Sequence, residues 1–150
     1  VQFVAHQPAA GHSFAELIAE CSAAELLIGP LRSATLEGVL TIPDALVRAR
    51  AVHVISENRR ARQLADALTA GDLAAAGELL VASHHSLRDL YQTSTPLIDE
   101  AVERLLDLPG VYGARMTGGG FGGSVLALAE RGAVSGGWVL RPSAGACHVE

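Results

Sequence analysis

Residues 117–123, Thr117-Gly118-Gly119-Gly120-Phe121-Gly122-Gly123, constrain this chain more than any other stretch, because five of the seven lack a Cβ. Backbone of that kind reaches positive φ and lies directly against another backbone or an anion. A plain hairpin turn needs one or two glycines, so five imply that something approaches the loop closely: an anion, a neighbouring backbone, or both. The flanks read as strands, 111–116 before the loop and the apolar 124–129 after it. Gly118, Gly120 and Gly123 fit G-x-G-x-x-G, but a dinucleotide site needs that pattern to open a helix. A Walker A loop is excluded too, since Ser124 follows Gly123 where a Lys should stand and the chain contains no Lys.

Before the hairpin the pattern turns helical. Ser13 is placed to cap a helix with Phe14, Leu17, Ile18 and Cys21 on one face, ended by Gly29-Pro30. Residues 31–42 have weak periodicity and read mostly as loop. From Asp44 a long helix carries Val47, Ala51, Val54, Ala61 and Leu68 at 3-and-4 spacing and stops at Gly71. Asn58 falls in that stripe, where it either ties helices together or faces a site. Asp72 caps a third helix to about Tyr91, with Leu73, Ala76, Leu80, Ser83, Leu87 and Leu90 inward. Thr95-Pro96 opens a fourth, with Leu97, Ile98, Ala101, Val102, Leu105 and Leu106 as its apolar face. A short strand at each end, 1–5 and 138–141, completes an α+β domain: helices packed on one face of a small antiparallel sheet.

One domain accommodates 150 residues. The net charge of −5 and the lack of a basic cluster argue against nucleic acid or an anionic membrane as partner. No apolar run approaches the ~20 residues of a membrane span. Cys21 and Cys147 have no metal-ligand spacing and read as free thiols of a reducing, cytoplasmic compartment. The chain starts without Met and is expected to be cut from something longer.

Other constellations carry less. His84 and His85 point about 100° apart on a helix, so they do not chelate one metal. Ser86, His85 and Asp89 could be drawn as a triad, but no G-x-S-x-G elbow is present. The charged run 57–62 reads as a solvated helix face with surface ion pairs. Arg115, two residues before the glycine loop, either reaches a phosphate or faces solvent.

Gly113-Ala114-Arg115-Met116 and the glycine loop through Ser124 closely resemble the third motif of the GHMP kinases in its galactokinase form. Residues 53–60, His53-Val54-Ile55-Ser56-Glu57-Asn58-Arg59-Arg60, resemble a galactokinase segment, as do Ser83-His84-His85-Ser86-Leu87-Arg88-Asp89 with Tyr91, residues 94–99 and residues 139–146, all in the family's order. The resemblance covers most of the chain after about Arg48. It implies the C-terminal, ferredoxin-like domain of a two-domain cytoplasmic kinase that transfers the γ-phosphate of ATP, with Mg²⁺, to the anomeric hydroxyl of galactose. It also implies that the catalytic groups, the metal ligands and most of the ATP site belong to an N-terminal GHMP domain, so that no catalytic or metal-binding residue is expected here and the isolated chain is inactive. The loop 117–123 would then lie at the interface of the two domains, where a Cβ at any of its glycines would hold two backbones apart.

Two departures accompany the resemblance. Phe14 stands where the family has a Tyr whose hydroxyl contacts the sugar, which alters affinity or sugar choice. Only residues 130–137 separate the hairpin from the last strand, where the family carries a helix, so apolar surface is expected to be exposed or covered by something else. A non-catalytic sugar sensor of the same fold, or a GHMP kinase for another sugar, is the alternative.

Overall fold

A computed structural model describes residues 1–6 and 13–140 of the chain. Along it run β1 (Gln2–His6), α1 (Phe14–Ile28), α2 (Leu36–Val39), α3 (Ala45–Ala70), α4 (Leu73–Asp89), α5 (Pro96–Leu106), β2 (Val111–Thr117) and β3 (Gly122–Ala129). The three strands form one antiparallel sheet in the order β1-β3-β2. The expected connector at 7–12 lies outside the described residues, as do 141–150.

The helix boundaries follow from side chains that satisfy the orphan amides of the first turn. Ser13 and Glu16 form a capping box at α1. The Asp44 carboxylate accepts from the N–H groups of Leu46 and Val47 at 2.8 and 2.9 Å to start α3. Gly71, at φ 73°, ends that helix in the left-handed conformation, and Asp72 caps α4 at once. Thr95 caps α5, with Pro96 in its first turn. The single turn α2, capped by Thr35, falls in the segment expected to be loop; four residues are too short to show a period.

Helices meet β2 from both sides. Ala114 and Met116 join Val125 and the α5 residues Ile98, Ala101, Val102 and Leu105 in one apolar core. On the opposite face Gly113 lies against Gly77 of α4, and Arg115 reaches Ser83. The α+β class stands: α5 covers the sheet, touching all three strands, while α4 packs on the edge strand β2 alone. Gly77 and Gly113 allow α4 to approach so closely: a Cβ on Gly77 would sit 2.0 Å from the Tyr112 carbonyl oxygen, and one on Gly113 would sit 2.2 Å from that of Gly77. Two facing glycines bring helix and strand backbones into contact, an approach that hydrophobic periodicity does not register. A second apolar cluster, Ala24, Leu31, Val39, Ile42 and Ala51, joins α1, α2 and α3.

Several inward assignments differ. Phe14, Ile18, Leu68 and Leu97 are exposed, and so is Ala61, in a second half of α3 that is largely open to solvent. The strand expected at 138–141 is not formed over 138–140; Trp138 exchanges two backbone hydrogen bonds with Val1, at 2.7 and 2.8 Å, and pairing goes no further. Residues 130–137 make turns and no helix, and Phe3, Trp138, Val139 and Leu140 are all more than half exposed.

Candidate functional site

The glycine loop connects β2 to β3 as a hairpin and divides into two halves. Gly120, at φ 89°, leaves room for the turn that follows α4: a Cβ there would meet the Thr93 Cβ at 2.6 Å and its carbonyl oxygen at 3.1 Å. The next residue, Phe121, donates its N–H to the Thr93 carbonyl at 2.7 Å. The close neighbour that the glycine content demanded is therefore in part the protein's own backbone. At Gly118 and Gly119 nothing lies within 4 Å of where a Cβ would stand. That half presents bare peptide to its surroundings and can accept another backbone or an anion.

The supporting turn is itself held from several directions. The Thr93 N–H donates to the Leu87 carbonyl at 3.0 Å. Gln92 precedes it at φ 56°, a left-handed conformation that a non-glycine residue adopts at a cost. Ser94 donates to Asp99 at 2.5 Å, and the same carboxylate oxygen lies 3.3 Å from His84 Nε2. Thr93 is 2 % exposed and its hydroxyl has no hydrogen-bond partner in the structure.

Behind the turn a polar layer runs between α3, α4 and β2. Arg115 Nη1 donates to Ser83 Oγ at 2.7 Å and lies 3.4 Å from Glu57; Ser83 in turn donates to Glu57 at 2.6 Å. Burial pushes the Glu57 carboxyl up, but the Ser83 hydroxyl and the Arg60 guanidinium outweigh it and leave the group below the usual carboxylate range. His53 shares a 2.8 Å hydrogen bond with Ser86 and stacks on Tyr91 with ring centroids 4.3 Å apart. Burial, reinforced by the charges of Arg60 and Arg115 against the opposing pull of Glu57, lowers the His53 pKa to about 4. Burial also raises the Tyr91 hydroxyl to about 12 and lowers His84 despite Asp99 beside it. A neutral His bonded to a Ser has the look of a nucleophile and its base. Both are buried where the two helices meet, however, so the pair ties α3 to α4.

Arg115, read as reaching a phosphate or facing solvent, is engaged with Glu57, Ser83 and the Met116 carbonyl. Phe14 opens α1 with its ring exposed. Asn58 joins Ile18, Cys21, Leu31, Arg32 and Tyr91 in lining an open cleft of about 340 Å³. The drawn triad comes apart: Ser86 is bonded to His53, and Asp89 pairs with Arg88 at 2.7 Å. Glu57 and Arg60 belong to the half-buried layer rather than to a solvated face. Arg50 and Thr93 were not legible as supports of the site. Arg50 stands one place before Ala51 in the α3 stripe, and a charged residue there reads as flanking the stripe, not as filling it.

Residues 64–135, from the end of α3 through the hairpin, match the family model described as GHMP kinases C terminal. The galactokinase of Lactococcus lactis, solved in complex with galactose, superposes with a TM-score of 0.74 at 36 % identity, covering 82 % of this chain and 35 % of that one. Over residues 64–135 the chain is similar to the C-terminal domain of the GHMP kinases, and its fold matches that part of a solved galactokinase. The galactokinase of Chloroflexus aurantiacus is 45 % identical over 131 residues, 79 % of this chain, and the human galactokinase 50 % identical over 103 residues, 67 % of it. The chain spans only 33 % and 26 % of the lengths of these two relatives. The matched residues hold the hairpin, the Thr93 turn and the α4 half of the polar layer, so the glycine loop comes with its support.

Proposed function

We propose that this chain is the C-terminal GHMP domain of a galactokinase-like enzyme that transfers the γ-phosphate of ATP to the anomeric hydroxyl of galactose. The observation that carries the reading is the asymmetry of the glycine loop: Gly120 and Phe121 are fixed on Thr93, while Gly118 and Gly119 offer unobstructed backbone. The similarity to galactokinases over most of the chain supports the same reading. In it the open half meets the phosphate-binding side of an N-terminal GHMP domain, and the docked half keeps it from moving away. The loop's contribution is placement and bare N–H groups near transferred charge, the two things on which phosphoryl transfer depends.

Among the described residues, no group of three or more His, Cys, Asp or Glu side chains is placed to hold a metal ion. In this reading Mg²⁺ and most of the ATP contacts belong to the N-terminal half, as the galactokinase resemblance implies. Arg115 acts in this reading as an internal strut of β2 and not as a phosphate ligand. Phe14, at the exposed start of α1, is assigned to the sugar side, where it offers a ring without a hydroxyl.

Coexpression with the N-terminal half of a galactokinase, followed by purification of the complex, tests the proposal. ADP release that requires both ATP and galactose is expected. A stable complex without turnover counts against it, and sugar binding by calorimetry without a phosphorylated product would replace the enzyme with a sugar sensor.

A further inference from the structure

We propose that Arg50 is a positioning residue for the glycine loop, acting through the turn at residues 90–93. Its effect on turnover rests on the kinase reading above; its effect on the loop does not.

Arg50 is fully buried and is the largest side chain to be so among the described residues. Its Nε donates to Glu20 at 2.6 Å, Nη1 to the Leu90 carbonyl at 2.6 Å, and Nη2 to the Gln92 side-chain oxygen at 3.1 Å. The guanidinium carbon lies 6.0 Å from the centre of the Tyr91 ring. Three consecutive residues of one turn thus meet one planar group, by a carbonyl, a ring and a side-chain amide. Filling space does not call for this arrangement, because an apolar side chain of similar volume occupies a core site without the desolvation penalty of a charge. The rigid fork is suited to fixing the relative positions of its partners.

The turn requires such holding. Gln92 stands at φ 56°, in a conformation that the surroundings must enforce. Thr93 follows, and its carbonyl accepts the Phe121 N–H while Gly120 rests on its side chain. A continuous line of short contacts runs Glu20, Arg50, Leu90 and Gln92, Thr93, Phe121. If the turn relaxes, Thr93 moves and the loop loses the support that aims Gly118 and Gly119.

Arg50→Lys keeps the charge beside Glu20 but cannot grip the carbonyl and the amide together. In the full 150-residue chain, hydrogen exchange at the Phe121 amide is expected to quicken about tenfold, the consequence of losing roughly one hydrogen bond's worth of support. Amides in the β2–β3 ladder, such as those of Met116 and Val125, should keep their rates. Equal acceleration along the ladder would make Arg50 a mere stabiliser of the fold and overturn the proposal, as would an unchanged Phe121. Should Arg50→Lys not fold, Gln92→Ala removes one arm of the clamp, and about threefold faster exchange confined to Phe121 is expected; none would overturn it. In the two-domain complex Arg50→Lys should lower kcat about tenfold with little change in KM for the sugar. Wild-type kcat with altered exchange would discard the link to turnover alone, and a complex inactive even with Arg50 would fail the kinase reading while the exchange result still decides the clamp.

Discussion

The two faces of β2 are built on different principles. Toward α5, Ala114 and Met116 enter an apolar cluster with Ile98, Ala101, Val102 and Leu105, and each added contact is non-directional burial. Toward α4, the same strand offers Gly113 and Arg115 to a layer of Glu57, Ser83, His53 and Ser86, where position is set by hydrogen bonds and by glycine contact. The first face supplies stability that tolerates repacking. The second supplies alignment, since a half-satisfied polar layer is worse than none, and it is from this side that the Thr93 turn carries the glycine loop.

The sharpest way to break the contrast is Gly77→Ala. In an isolated helix this change stabilises by about 1 kcal/mol; here the new methyl would stand 2.0 Å from the Tyr112 carbonyl oxygen. A net loss of ~3 kcal/mol or more is expected by urea denaturation, and a neutral result would mean that helix and strand are not in backbone contact. On the other face Met116→Ala, at a site only 1 % exposed, is expected to cost about 3 kcal/mol, with amide exchange raised across the sheet rather than at one point.

Acid discriminates the faces further. His53 titrates near 6.5 when unfolded and about 4 when folded. Above pH 6.5 both states are neutral and nothing is lost. As pH falls below 6.5 the unfolded chain takes up the proton first, so stability declines until the folded pKa is passed, by about 2 kcal/mol at pH 5. His84, lowered in the same direction, adds to the decline. His53→Gln should flatten the pH 7 to 5 slope measured by urea titration; an unchanged slope would remove His53 as its source.

Smaller effects test the polar layer and the loop. Ser83→Ala leaves Glu57 and Arg115 short of a shared partner and is expected to cost about 1–2 kcal/mol, readable as a shift in denaturation midpoint. Gly119→Ala has open space and should change stability by less than ~0.5 kcal/mol. It should nonetheless lower kcat of the two-domain complex, which separates the open half of the loop from the half resting on Thr93. Gly120→Val is a poorer probe of the interface, because its clash with Thr93 lies within the domain.

Sequence by itself determined the helices α1, α3, α4 and α5, with their caps at Ser13, Asp44, Asp72 and Thr95, and the hairpin around the glycines, because these depend on neighbours within a few residues. The apolar face of α5 was legible for the same reason. What only the tertiary structure decided is which polar residues would be buried and which glycines would touch. Arg50 and Glu20 are 30 positions apart, Ser83 and Glu57 26, and Phe121 meets Thr93 across an intervening helix and strand. A guanidinium reads as a surface group until three partners surround it, and a glycine reads as flexible until a backbone fills the place of its missing side chain. Both are properties of pairs brought together by folding, and local periodicity holds no record of them.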